Sequence, residues 1–338
     1  MSIENRKQSW LDLYEGKRRT VVMIELDDYG VRPSPSPDTM DTFFNWDIRR
    51  YRVMADSMEW LDDDRVPHVT AGMGTDIFAG AFGCPVYYPG NSNPYARPCI
   101  FSLKDLAKLN QPVLENSSLM KDIEFGLKLR AAAPEAMIQL PDIQSPLDIA
   151  ALIWEKVDFF STMIDDPQAV LDLLEMVYKL ETEFIDLWFK TFGREFIAHY
   201  PAYYMPYGIT LSEDEIGCIS CAQFDQFVTP FLERLSERYG GKIGVHCRAD
   251  AKHQWGMIKK IPGLVLFNLH HRHDTNRIAG EASVFFRDGP PLWHGGPGQN
   301  ECHDLRARGV LLGAADSKEK AIEEVKRLRE YSAKFIAP

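Results

Sequence analysis

No block of lysine or arginine occurs anywhere in the 338-residue chain, whose formal net charge is -11. Nucleic acids and anionic membrane surfaces are drawn to clustered cations, so neither is expected as a partner. No apolar run reaches the roughly 18 residues needed to cross a bilayer. The opening stretch MSIENRKQSWLDLYEGKRRT has no apolar core of the signal-peptide kind. Both absences lead us to expect a cytoplasmic protein. Cysteine is scarce: six residues, at 84, 99, 218, 221, 247 and 302, are too few and too scattered for a disulfide framework. They read as reduced thiols, some of them candidate ligands. Missing too are a glycine-rich dinucleotide fingerprint, a linker and any low-complexity tract. The segment FAGAFGCP (78–85) suits close backbone packing or a turn over a ligand, but lacks the Gly-Lys-Ser/Thr ending of a phosphate loop.

What the chain does have is alternation. TVVMIELDD (20–28) is apolar and β-branched, and WDIRRYRVMADSMEWLDDD (46–64) has helical spacing with charge on its outer face. EAMIQLPD (135–142) precedes a helix at 145–154, with Ser145 as cap and Pro146 in the first turn. A long amphipathic helix follows over 165–193, opened by Asp166 and Pro167 and closed by Gly193. Strand-like EFIAHYP (195–201), helical 220–241, strands KIGVHC (242–247), GLVLFNL (263–269) and GVLLGA (309–314), and a closing helix (316–335) complete the order. Strand and helix in turn imply a parallel sheet. The length fits a single (β/α)8 TIM barrel of class α/β over residues 1–338, with an inserted or covering segment at about 65–112. An open doubly wound sheet is the alternative from pattern alone.

Barrel sites lie at the C-terminal ends of the strands. Those ends carry Asp27 and Asp28, Asp142, His199 and Tyr200, His246 and Cys247, His270 with His271, His273 and Asp274, and finally His294. Histidines cluster there, but LHHRHD (269–274), which could supply a metal pair, reads first as a polar loop after an apolar strand. CISC (218–221) has the spacing of zinc and redox motifs, yet no second pair exists and Ser220 suits a helix cap, which favours a structural reading.

Three segments together resemble the uroporphyrinogen decarboxylase superfamily: SPLDIAALIW…DDPQAVLDLLEMV (145–177), LSEDEIGCISCAQFDQFVTPFLERLSERYGGKIGVHC (211–247) and GVLLGAADSKEKAIEEVKRLRE (309–330). The resemblance covers residues 130–335 well and the N-terminal third weakly, and it is closer to the methyltransferase-like members. It implies the barrel fold. In the decarboxylase branch it also implies an N-terminal arginine motif that grips substrate carboxylates; TVVMIELDDYGVRP (20–33) ends on acids instead, which would repel a polycarboxylate. In the methyltransferase branch it implies zinc held by His-x-Cys and a later cysteine, and a corrinoid on a partner protein. LLGAADS (311–317) offers no late cysteine, and the earlier site reads His246-Cys247-Arg248.

Adjacent side chains on a strand face opposite ways, so His-Cys does not aim both donors at one ion as His-x-Cys does. Only a strand that ended at His246 and turned would let His246 and Cys247 share a zinc, with His270 or His294 completing the shell. Otherwise Arg248 takes the cysteine position and can hold an anion. We expect methyl transfer between a small substrate and a corrinoid carrier, with His246, Asp142, Asp214 and His199 as catalytic residues. Asp27, Tyr200, Arg248, His270 and His294 are the expected substrate-binding residues. Zinc on His246 and Cys247 is the candidate metal. The alternatives are decarboxylation of a tetrapyrrole-like or other carboxylic acid, and a non-catalytic barrel that binds a corrinoid or tetrapyrrole.

Overall fold

The computed structural model describes residues 1–27, 29–71, 74–90, 92–199, 201–269, 275–293 and 307–334. Asp28, Tyr200, His270 to Asp274, His294, Cys302 and His303 lie outside them. The strands are β1 (Thr20–Leu26), β2 (His68–Thr70), β3 (Val86–Tyr87), β4 (Tyr95–Ala96), β5 (Met137–Gln139), β6 (Phe196–Ile197), β7 (Tyr204–Met205), β8 (Ile209–Ser212), β9 (Ile243–Cys247), β10 (Leu264–Leu269), β11 (Leu292–Trp293) and β12 (Gly309–Ala315). A six-stranded parallel sheet runs β1-β12-β11-β10-β9-β8. A four-stranded sheet runs β2-β5-β6-β7, parallel except for the antiparallel β6–β7 pair. β3 and β4 form a separate hairpin.

The two sheets meet at two seams. At one, Gln144 bridges Ser212 in parallel; the Ser212 N–H donates to the Ile143 carbonyl (2.9 Å) and the Ser145 N–H to the Ser212 carbonyl (2.8 Å). At the other, carboxylates do what a neighbouring strand would do. Asp64 accepts from the Val22 N–H (2.8 Å) and Asp63 from the Ile24 N–H (3.0 Å), while the Asp64 N–H donates to the Val22 carbonyl (2.7 Å). The described hydrogen bonds thus draw two sheets joined at two seams, where the sequence pointed to one closed eight-stranded ring.

Local signals decide the helices. Ser145 accepts from the Asp148 N–H to start Pro146–Ile153, and Asp166 accepts from the Ala169 N–H to start Pro167–Phe192, which closes at Gly193 with a left-handed φ of 96°. Two expectations need correction. The helix expected over 46–64 runs Met40–Ser57, and its last acids, Asp63 and Asp64, are buried at the second seam rather than on an outer face. The helix expected over 220–241 breaks at Val228 into Cys221–Phe227 and Thr229–Arg238, with Pro230 in the first turn of the second piece. Ser220 does cap Cys221–Phe227, in a reciprocal box with Gln223. Cys218 and Cys221 are both exposed.

Candidate active site

Because β5 runs parallel to β6, and β8, β9 and β10 run parallel to one another, their C-terminal residues gather at one end. Ser212 on β8, His246 on β9 and Asn268 on β10 stand in register, and residues paired across a sheet project from the same face. His246 Nδ1 bonds Asn268 Oδ1, and Asn268 Nδ2 in turn donates to Tyr203 Oη (3.4 Å). Ser212 Oγ donates to Asp142 Oδ1 (2.7 Å), and Asp142 Oδ2 meets His199 Nε2 at 3.3 Å. Asp142 follows β5 and His199 follows β6, so residues from five strands form one polar row.

His199 owes its place to a tight turn. β6 and β7 fold back on each other, with the Ala198 N–H on the Tyr203 carbonyl (2.7 Å). Gln139 Nε2 donates to the carbonyls of Ala198 (2.9 Å) and His199 (2.8 Å). Ala202 completes the turn in the left-handed region, at φ 68°. Backbone strain of this kind costs roughly 1 kcal/mol or more and persists where the surroundings fix it.

Burial favours the neutral form of both histidines. Burial lowers the pKa of His246, opposed by its bond to Asn268 and by the charges of Asp214 and Asp142. Burial lowers that of His199 as well, opposed by Asp142 and reinforced by Arg32. Asp142 faces His199 Nε2 as a charge at 3.3 Å, and His199 Nδ1 is buried without a hydrogen-bond partner among the described residues. A buried nitrogen in that condition costs free energy unless a ligand satisfies it.

The other expected site residues fall as follows. Asp214 accepts from the Arg248 N–H (2.6 Å), which fixes the turn after β9. The Arg248 side chain and Asp27 are exposed. Cys247 is fully buried on the opposite face from half-buried His246, and burial pushes its thiol pKa well up. Among the described residues no three His, Cys, Asp or Glu side chains gather as a metal-binding group. A shared zinc on His246 and Cys247 therefore does not fit, because β9 runs straight through both residues.

The sequence reading missed Asn268, Ser212 and Arg32. Asn268 carried a signal, being the one polar residue in an apolar strand. Arg32 stacks over Phe43 (5.4 Å) and donates to Asn93 (3.3 Å), close enough for its charge to act on His199.

Beneath the row lies a second group of acids. Asp148 accepts from the N–H groups of Asp214 (2.7 Å) and Glu215 (2.8 Å), Glu213 is buried beside it, and Glu181 is buried on the long helix. Burial pushes the carboxyl of Glu213 up to about 8 and that of Glu181 well above the usual range. Between the ordinary glutamate pKa and about 8, the unfolded chain has released the Glu213 proton while the folded chain retains it. Stability therefore falls as pH rises through that window. Glu213→Gln should raise unfolding free energy by about 4 kcal/mol at pH 8 and by almost nothing at pH 4. Urea unfolding at the two pH values checks this, and equal gains at both would contradict it.

The chain belongs to the uroporphyrinogen decarboxylase (URO-D) family, a family of enzymes, whose model matches residues 69–285. A methyltransferase from Methanosarcina mazei shares its fold, with a TM-score of 0.62 and 12% identity over 98% of this chain and 99% of that one. At that identity the likeness concerns the fold alone. No curated protein matches. Among the described residues no helix is long and apolar enough to cross a membrane.

Proposed function

We propose that this protein is a methyltransferase that moves a methyl group between a small substrate and a corrinoid carried by a partner protein. The observation that carries the reading is a pair of neutral imidazoles, each held by a fixed partner, in a row lined by carboxylates. Removing a methyl group from oxygen, nitrogen or sulfur leaves a heteroatom that must gain a proton, and adding one to a hydroxyl or thiol releases a proton. A histidine titrating near or below neutrality serves either direction. When bound, the corrinoid supplies the cobalt that carries the methyl group.

Asn268 offers its Oδ1 to His246 because its Nδ2 is committed to Tyr203, which puts the imidazole proton on Nδ1 and the lone pair on Nε2. Asp142 does the converse for His199, leaving the lone pair on Nδ1. His246 manages the proton of the reacting heteroatom. His199 binds and orients the substrate from the turn after β6. Asp214 keeps its structural bond to Arg248 while its charge faces His246. Acids in this row disfavour a polycarboxylate substrate and suit a neutral or cationic methyl donor.

A second reading, decarboxylation, is favoured by one observation: Arg32 lies within electrostatic reach of His199 and suits a single carboxylate. One set of assays separates them. Methyl ethers, methylated thiols and methylamines are supplied with cob(I)alamin under reductant, following the cob(I) absorbance, and carboxylic acids are supplied in parallel, following CO2. We expect cob(I) to be consumed with at least one methyl donor. Release of CO2 without methyl transfer would replace this reading with decarboxylation. Corrinoid binding without either reaction would leave a non-catalytic carrier-binding role.

A further inference from the structure

We propose that Cys84 and Cys99 form an oxidant-sensitive thiol pair that closes to a disulfide and pins the root of the β3–β4 hairpin. The two sulfurs lie 3.3 Å apart. A disulfide bond of about 2.05 Å is reached by a shift of roughly 1 Å. Both cysteines sit on fixed backbone: the Cys84 N–H bonds the Ala79 carbonyl (3.0 Å), and the Cys99 N–H bonds the Ile153 carbonyl (2.9 Å) at the end of the helix Pro146–Ile153. Between them the Arg97 N–H on the Pro85 carbonyl (2.9 Å) closes the hairpin. At the far end Asn93 accepts from Arg32, the cation whose charge acts on His199. The thiol pair thus stands at the base of a hairpin whose far end is tied to Arg32.

The pair is chemically unequal. Cys84 is buried and its S–H donates to Cys99, which is half-buried. That bond lowers the Cys99 thiol to about 7, whereas the Cys84 thiol is pushed up. Cys99 is therefore the nucleophile and Cys84 the resolving thiol. With a hydroperoxide, the Cys99 thiolate attacks one peroxide oxygen, the O–O bond breaks, and a sulfenic acid and hydroxide form. The Cys84 sulfur then displaces the sulfenic hydroxyl, and its own proton leaves with that hydroxyl as water. Two thiols and one hydrogen peroxide give one disulfide and two waters.

The test uses the full chain, reduced with dithiothreitol, desalted and treated with one equivalent of hydrogen peroxide. Remaining thiols are alkylated and the peptides mapped by mass spectrometry. The expected result is a Cys84–Cys99 cross-link that forms at least ten times faster than exposed Cys218 and Cys221 are oxidised, and that dithiothreitol reverses. Cys84→Ser should leave Cys99 as a sulfenic acid that dimedone traps, and Cys99→Ser should leave Cys84 unmodified. Chymotrypsin should cut at exposed Tyr87 and Tyr95 more slowly in the oxidised protein. Both thiols remaining alkylatable while Cys218 or Cys221 is oxidised would overturn the pair. Equal cleavage before and after cross-linking would overturn the pinning of the hairpin.

Discussion

Asp63→Ala should lower unfolding free energy by about 3–5 kcal/mol, the usual cost of removing one partner from a buried ion pair. Arg6 and Asp63 are each 1% exposed, and Arg6 also donates to the carbonyls of Leu61 (2.6 Å) and Arg65 (2.8 Å). Truncating Asp63 leaves the guanidinium buried without its counter-ion. The same change orphans the Ile24 N–H on β1, because the other oxygen of Asp63 is its acceptor. Urea unfolding measures the effect. Asp62→Ala is the control, since Asp62 is 71% exposed and its ion pair with the N-terminus should contribute under about 1 kcal/mol. A loss below about 1 kcal/mol for Asp63→Ala would show that the second seam does not hold the sheets together.

Asp142→Asn should reduce turnover by about 100-fold to 1,000-fold with little change in KM. Asp142 accepts from Ser212 on one oxygen and faces His199 Nε2 at 3.3 Å with the other. An amide can accept on one side only, so it must present N–H groups either to Ser212 or to His199 Nε2. The second outcome turns His199 into the wrong tautomer and takes the lone pair away from Nδ1. Ser212→Ala removes one hydrogen bond and leaves the carboxylate, so it should cost about tenfold or less. If Asp142→Asn and Ser212→Ala cost the same, Asp142 acts as packing and not as an orienting group. Unfolding free energies within about 1 kcal/mol of the parent chain would confirm that the loss is chemical.

Much of this fold is written in local chemistry. Ser145, Asp166 and Ser220 announce helix starts because a cap needs only its own next three residues, and the apolar runs of β1, β9, β10 and β12 need only their own composition. The errors lie where a distant group decides. The acids of LDDD keep a helical period, but β1 has edge N–H groups that need acceptors, and those acceptors are Asp63 and Asp64. Likewise β6 is two residues long, and only its pairing with β5 and β7 makes it a strand.

The site shows the same division. Alternation along β9 was enough to separate His246 from Cys247, and the structure places them on opposite faces. The positions of Asp142, His199 and His246 follow from strand ends, but their mutual contacts depend on the seam at Gln144 and Ser212, which no periodicity reveals. Asp27 was chosen by the same rule, and Arg248 by its place two residues after His246, yet both side chains lie exposed. Buried Glu181 carried a signal that the reading passed over: its neighbours three and four positions away, Tyr178, Val177, Phe184 and Ile185, are all apolar, which puts it on the inner face of its helix.

The most direct test of the central claim is an NMR titration of the imidazole groups of His199 and His246 in the parent chain and in Asn268→Asp. The account predicts that both histidines titrate below the ordinary histidine value in the parent, and that the carboxylate at 268 raises His246. If either histidine titrates at or above the ordinary value in the parent chain, the site does not hold two neutral imidazoles, and the proposed proton chemistry is wrong.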